Sequence, residues 1–185
     1  MLLVITVLGS CTWALGPFNH MSIDGDRYAL DDLYIEYFGR SADGDAHNLD
    51  LRFVSAGLTP SQNGYSGSGE SLYIELWSRS QDPEGGTYTY SETHGAGTFS
   101  DAVARVGWTS GVGADEGYAV TAGQVHVRNT LGSGYVIKFD FRARDLLKGS
   151  SVDITGRFRG PETRRYDYSM SLSEHPIEQK RTRLR

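Results

Sequence analysis

Chemistry requires nucleophiles, acid–base pairs or metal ligands at workable spacings, and this chain offers few. Cys11 is its only thiol, placed after the uncharged run Leu2 to Ser10. A single cysteine excludes an intrachain disulfide and a multi-cysteine zinc site, which leaves the thiol for covalent modification. The histidines His20, His47, His94, His126 and His175 share no zinc-ligand spacing. His126 sits between Val125 and Val127, so strand alternation turns it away from them and it reads as a solvent-side strand residue. The segment Gly64-Tyr65-Ser66-Gly67-Ser68-Gly69 has the residues of a nucleophile elbow in the wrong order. Asp43, Asp45, Asn48 and Asp50 offer oxygen ligands but lack the glycine and closing glutamate of an EF-hand, and turn chemistry accounts for Asp43-Gly44-Asp45. Glycoside hydrolysis needs a carboxylate pair at a set spatial separation, and Glu36 and Glu75 are the two weighed for it. Both alternate with aliphatic residues and are expected on the outward face. The expectation is no catalytic set, no metal and no cofactor, with a glycan-acting enzyme as the remote alternative.

The position of Cys11 is more informative than its reactivity. An apolar run of this length ending in small residues has the character of a signal-peptide core and cleavage site. The string Leu8-Gly9-Ser10-Cys11 resembles a bacterial lipobox, in which the cysteine becomes the lipidated first residue. No cationic segment precedes Leu2, so the signal is either unusually short or begins upstream. A membrane span is the weaker reading, because about 20 apolar residues are needed and Gly16, Pro17, Asn19 and His20 interrupt the run. Residues 1–10 are accordingly read as signal peptide, 11–27 as tether, 28–160 as the folded domain and 161–185 as a polar, basic, disordered tail.

The folded part reads as all-β. Period-two alternation marks half-buried strands at Leu33–Phe38, Leu49–Phe53, Leu72–Trp77 and Thr87–Tyr90. It continues through Thr98–Trp108, with Ala104, Val106 and Trp108 on one face, and through Tyr118–Arg128, with Gly123 at a bend or bulge. Tyr135–Arg144 and Val152–Arg159 are the cleanest examples. The Gly- and Ser-rich stretch 57–69 reads as a loop. About eight strands with hairpin-length links predict an antiparallel sheet. An up-and-down barrel of the lipocalin type hides its edges best, and a two-sheet sandwich is the alternative.

Composition limits the partners. The chain of 185 residues carries a formal charge of −5, with six Lys or Arg against four Asp or Glu in residues 161–185, hence −7 over the rest. A mildly acidic body does not suggest nucleic-acid binding. Twenty-three glycines, eleven tyrosines and five prolines fit tight turns between aromatic-bearing strands.

Four segments carry a resemblance. They are Asp82-Pro83-Glu84-Gly85-Gly86-Thr87-Tyr88-Thr89-Tyr90, Val120-Thr121-Ala122-Gly123-Gln124-Val125-His126-Val127, Tyr135-Val136-Ile137-Lys138-Phe139-Asp140-Phe141, and Ile154-Thr155-Gly156-Arg157-Phe158-Arg159-Gly160-Pro161. With the lipobox, their order and spacing resemble a family of small Bacteroidales lipoproteins, calycin-like β-barrels of largely unknown function. The resemblance implies a lipid-anchored envelope protein, in the outer membrane with either orientation, and supplies no catalytic residue. The basic tail is an addition to the family pattern, and the acidic residues that often follow the cysteine are missing from Thr12-Trp13-Ala14-Leu15-Gly16.

Two functions follow as expectations. One is a binding lipoprotein that holds a small ligand or glycan in a barrel mouth, its interior largely filled by Phe139, Phe141 and Phe158. The other is a structural or docking role. For that role Tyr34, Phe38, Tyr73 and Trp77 would form an exposed aromatic strip opposite the aliphatic face.

Overall fold

The structure is a computed structural model that describes residues 19–41, 44–61, 64–130 and 134–169; Cys11, Asp43 and residues 170–185 lie outside that set. The strands in chain order are β1 (His20–Ile23), β2 (Asp26–Ala29), β3 (Asp32–Arg40), β4 (His47–Val54), β5 (Leu58–Ser61) and β6 (Gly64–Ser78). They continue as β7 (Gly86–Tyr90), β8 (Thr98–Thr109), β9 (Glu116–Thr130), β10 (Gly134–Asp145), β11 (Ser151–Pro161) and β12 (Arg164–Asp167). They form one sheet curled into a half-barrel, in the order β12-β3-β4-β6-β8-β7-β9-β10-β11-β1-β2, with β5 paired to β6 off that path. A single curled sheet replaces the sandwich alternative.

The strand count exceeds the expected eight because three segments read as irregular are strands. Residues 20–29 of the tether and its junction form the β1–β2 hairpin, and β1 pairs with β11 from His20↔Arg157 to Ile23↔Ile154. The burial of Met21 and Ile23 holds it there. The loop at 57–69 is instead the β5–β6 hairpin. Leu58 and Tyr65 pack with Tyr34 and Val54 in a small second core on the outer side of the sheet. The start of the tail runs beside β3 as β12, in parallel, from Arg164↔Tyr34 to Asp167↔Tyr37. That pairing and the short β7–β8 contact are parallel, so the sheet is not antiparallel throughout.

Alternation places one large core inside the curl. Leu33, Ile35, Leu49, Leu51, Phe53, Leu72, Ile74 and Leu76 meet Phe139, Phe141, Ile154 and Phe158 from the opposite wall. Phe53 lies 5.4 Å from Phe158 and 6.3 Å from Phe139, and Phe99 lies 5.3 Å from Phe141, centroid to centroid. Rings therefore fill the interior.

Two glycines shape the wall. Gly123 has φ +137°, and a Cβ there would strike the Asp140 carbonyl; the β9–β10 register shifts beside it, where Ala122 faces Arg142 and Val120 faces Ala143. This is the expected bend. Gly107, at φ +66°, divides a pair expected on one face: Val106 packs on the main core and Trp108 on the outer cluster.

At one end of the half-barrel the β10–β11 turn is capped by Asp145, whose Oδ1 accepts from the amides of Leu147 at 2.8 Å and Lys148 at 2.9 Å. The Lys148 amide chiefly, and then that of Leu147, hold this carboxyl below its ordinary range against the opposing effect of its burial. A depressed folded-state pKa stabilises above the unfolded value, and that stabilisation is lost as pH falls through the folded value. Asp145→Asn should therefore lower Tm at neutral pH. The gap from the parent protein should shrink on acidification below the ordinary carboxylate range, as read by thermal melts across pH.

Candidate functional site

The other end of the half-barrel carries a cleft of about 720 Å³. Three pieces of chain frame it: Gln81 and Asp82 of the β6–β7 loop, Asn129, Thr130, Gly134 and Tyr135 at the facing ends of β9 and β10, and Pro161, Glu162 and Arg165 where β11 passes into β12. The loop is held from below by Tyr88, whose hydroxyl accepts from the Glu84 amide at 3.0 Å, donates to the Glu84 carbonyl at 3.1 Å and lies 3.2 Å from Ser78 Oγ. Ser78 Oγ in turn donates to the Asp82 carbonyl at 2.9 Å. The turn-rich string Asp82-Pro83-Glu84-Gly85-Gly86 thus builds one wall.

Arg165 organises the rest. It is in register with the core residue Ile35, so its side chain projects on the core side of β12, over the end of the barrel. Its Nη1 lies 2.7 Å from Asp82 Oδ1 and donates to the Gln81 carbonyl at 2.9 Å. Nε and Nη2 donate to the two carboxylate oxygens of Glu162 at 3.1 and 2.8 Å, a bidentate pair. Nη2 also reaches the Tyr135 hydroxyl at 3.4 Å. The hydrogen bonds it donates to Glu162 raise the guanidinium's pKa further against burial, so it stays charged. Burial, and then Glu162, raise the Tyr135 phenol, which remains a protonated donor at neutral pH. Thr163 completes the fastening: its amide donates to the Leu33 carbonyl at 2.6 Å and its hydroxyl to Asp32 Oδ1 at 2.7 Å.

The cleft's chemistry follows. One guanidinium is matched by two carboxylates, so the site has no surplus cation for an anionic ligand. It offers a half-buried phenol ring, the hydroxyl of Thr130 and the exposed amide of Asn129. A ring face beside amide and hydroxyl groups suits a neutral, hydroxyl-rich molecule.

The aromatic strip is not exposed. Tyr34, Phe38, Tyr73 and Trp77 retain 8, 7, 3 and 1% of their accessible surface, which decides against an open docking strip. Tyr34 lies under the β5–β6 hairpin and Tyr166, and Phe38 meets the ring of Tyr168 at 5.4 Å. Trp77 stacks on His94 at 4.4 Å and donates from Nε1 to Ser100 Oγ at 2.8 Å. Tyr73 donates to Asp50 Oδ1 at 3.2 Å beneath the Arg52 guanidinium. Alternation gave the right face; what it missed is the second layer that covers it.

The same covered face holds the candidate carboxylates. Glu36, Asp50, Glu75 and Asp101 are cross-strand neighbours on β3, β4, β6 and β8. Glu36 forms an ion pair with Arg52 at 2.9 Å. Glu75 accepts from Asn48 Nδ2 at 3.0 Å and Ser100 Oγ at 2.7 Å. Burial disfavours the Arg52 charge, but Glu36, with Tyr65, Asp50 and Tyr73, more than restores it. These are bonds of a packed layer, not of an acid–base pair facing a cleft. His126 lies on the outer side of β9 and is 2.9 Å from Thr87 Oγ1. Among the described residues no group of three or more His, Cys, Asp or Glu is placed to hold a metal ion. Sequence reasoning missed the cleft because Arg165 and Glu162 lie in the segment read as a tail.

Arg165→Met should detach β12 from the barrel end. The expected cost is about 1.5–3 kcal/mol in urea unfolding, the range for losing a hydrogen bond to a charged group. Hydrogen exchange should rise at the amides of residues 164–167 while the β9–β10 pairing stays protected; unchanged exchange in β12 would refute the role given to Arg165.

In comparisons with family models, curated proteins and solved structures, nothing matches this chain.

Proposed function

We propose that this chain is a lipid-anchored envelope protein of the calycin-like barrel type, attached through Cys11, that binds a small neutral ligand or glycan without chemical conversion. The observation that carries the binding reading is the cleft at the barrel end, where Tyr135, Asn129 and Thr130 surround an internally neutralised arginine. Its volume falls within the range of about 300–1,000 Å³ typical of small-molecule sites. The filled interior favours the rim over the lumen as the place of binding. The anchor is supported by Leu8-Gly9-Ser10-Cys11, and the family by the four segments quoted above. The docking alternative drew its support from an open aromatic strip, and the burial of those rings removes it.

Two measurements test this reading. Cys11→Ser should release the protein from the membrane fraction into the soluble fraction of its own cells; unchanged membrane association would sink the anchor. Native mass spectrometry of the protein purified from its envelope should show a retained small molecule that is lost in Tyr135→Ala and Asn129→Ala. A mass without adduct, or an adduct indifferent to both substitutions, would overturn the cleft as the site.

A further inference from the structure

The N-terminal segment meets the domain beside the cleft. Asn19, the first described residue, is fixed on two sides. Its carbonyl accepts from the Leu30 amide at 3.2 Å and its Oδ1 from the Arg159 amide at 2.7 Å. Strand β1 is antiparallel to β11, with His20 opposite Arg157. Followed backward from His20 to Asn19, the chain therefore advances along β11 toward Pro161, which lines the cleft opposite Gly134. Arg159 and Pro161 are two strand positions apart, about 7 Å.

The length of chain before Asn19 limits how the domain can face a membrane. Cys11 lies eight residues earlier, a reach of at most about 29 Å when fully extended. Bringing the far end of the half-barrel to the bilayer would turn that tether back along β11. The distance from Arg159 to Ser151 is about 26 Å, so the reversal would consume nearly all of the reach. Bringing the cleft end to the bilayer needs no reversal. Residues 12–18 carry no charge and include Trp13, a residue type enriched at bilayer interfaces.

The cleft restricts what it can take from that surface. Arg165 is outnumbered by Asp82 and Glu162, so a lipid phosphate meets no unmatched cation there. Phe53, Phe139, Phe141 and Phe158 fill the interior, so acyl chains have no lumen to enter and a bound lipid stays in its leaflet. The headgroup is what remains. Tyr135 offers a ring and a protonated hydroxyl, with the Asn129 amide and the Thr130 hydroxyl beside it.

We propose that the cleft binds the neutral saccharide headgroup of a lipid in the membrane that holds the anchor, without extracting that lipid. The proposal rests on the cleft as a binding site and on Cys11 as the anchor, and adds the class and source of the ligand. Partners joined by a short flexible linker meet at effective concentrations of about millimolar. A small polar cleft with few contacts is then occupied even by a weakly held headgroup.

The test uses the full chain in its own cells, with photoreactive benzoylphenylalanine in place of Gln81 at the rim or of Leu147 in the turn at the far end, both exposed positions. Irradiation should add the mass of a sugar-bearing lipid to the Gln81 variant and not to the Leu147 variant. Tyr135→Ala in the Gln81 background should lower the yield about tenfold, the loss expected from truncating an aromatic anchor. Asn129→Ala should lower it in the same direction. Thermal melts of each variant establish that it is folded.

A glycolipid adduct formed equally from position 147, or indifferent to Tyr135→Ala, would overturn the proposal. So would a phospholipid adduct without sugar, or no adduct at position 81. A free saccharide captured at the rim, with no acyl chain, would overturn the membrane source and leave the cleft as a binding site. Unchanged membrane association of the Cys11→Ser protein would refute the anchor, and the membrane source with it, whatever the cleft retains.

Discussion

A curled sheet that stops short of a complete hydrogen-bonded barrel must still dispose of two edges, and most of this structure depends on how it does so. The last strand at one end, β2, runs into β3 near the other end over two residues, Leu30 and Asp31. The amide of Leu30 bonds to the Asn19 carbonyl beside β1, and the next amide, that of Asp31, bonds to the Val54 carbonyl beside β4. Consecutive residues are therefore claimed by opposite ends of the sheet. The link from β11 to β12 repeats the device, with Thr163 bonded to Leu33 before β12 settles on β3. The seam is covalent where a barrel would have a ladder. That is why Phe53 on β4 can pack against Phe139 and Phe158 across the curl.

The seam also determines where a ligand could sit. With the interior filled by rings, the space left lies at the end where β12 crosses, and Arg165 holds that crossing. Its partners come from the β6–β7 loop, the β10 strand and the β11–β12 link, so fastening the strap and shaping the cleft are one set of bonds. On the outer side, Arg52 has a comparable place among Glu36, Asp50, Tyr65 and Tyr73, in a polar layer sealed by the β5–β6 hairpin and Tyr166 of β12. Breaking such a buried pair by removing one partner is costly, of the order of 3–5 kcal/mol. The layer therefore favours one placement of its cover over others.

The regular strands were legible because each buries one face, and burial writes itself as alternation in residues 33–38, 72–77 and 135–144. What was not legible is whatever covers the sheet. Exposure is not a property of a strand's own sequence: Tyr34 and Trp77 look like an open strip until the hairpin at 58–78 and the ring of His94 are set over them. Strands β1, β2 and β12 are four residues each, too short to show a period, and β1 and β12 exist because β11 and β3 offer edges to them. Gly123 was readable as a bend because only its own backbone was at issue, whereas Gly107 redirects Trp108 into a cluster that sequence alone could not reveal. Of the candidate site, Tyr135 lay in a clear strand, but Arg165, paired with its near neighbour Glu162, reaches the cleft only through Gln81, Asp82 and Tyr135, dozens of residues away.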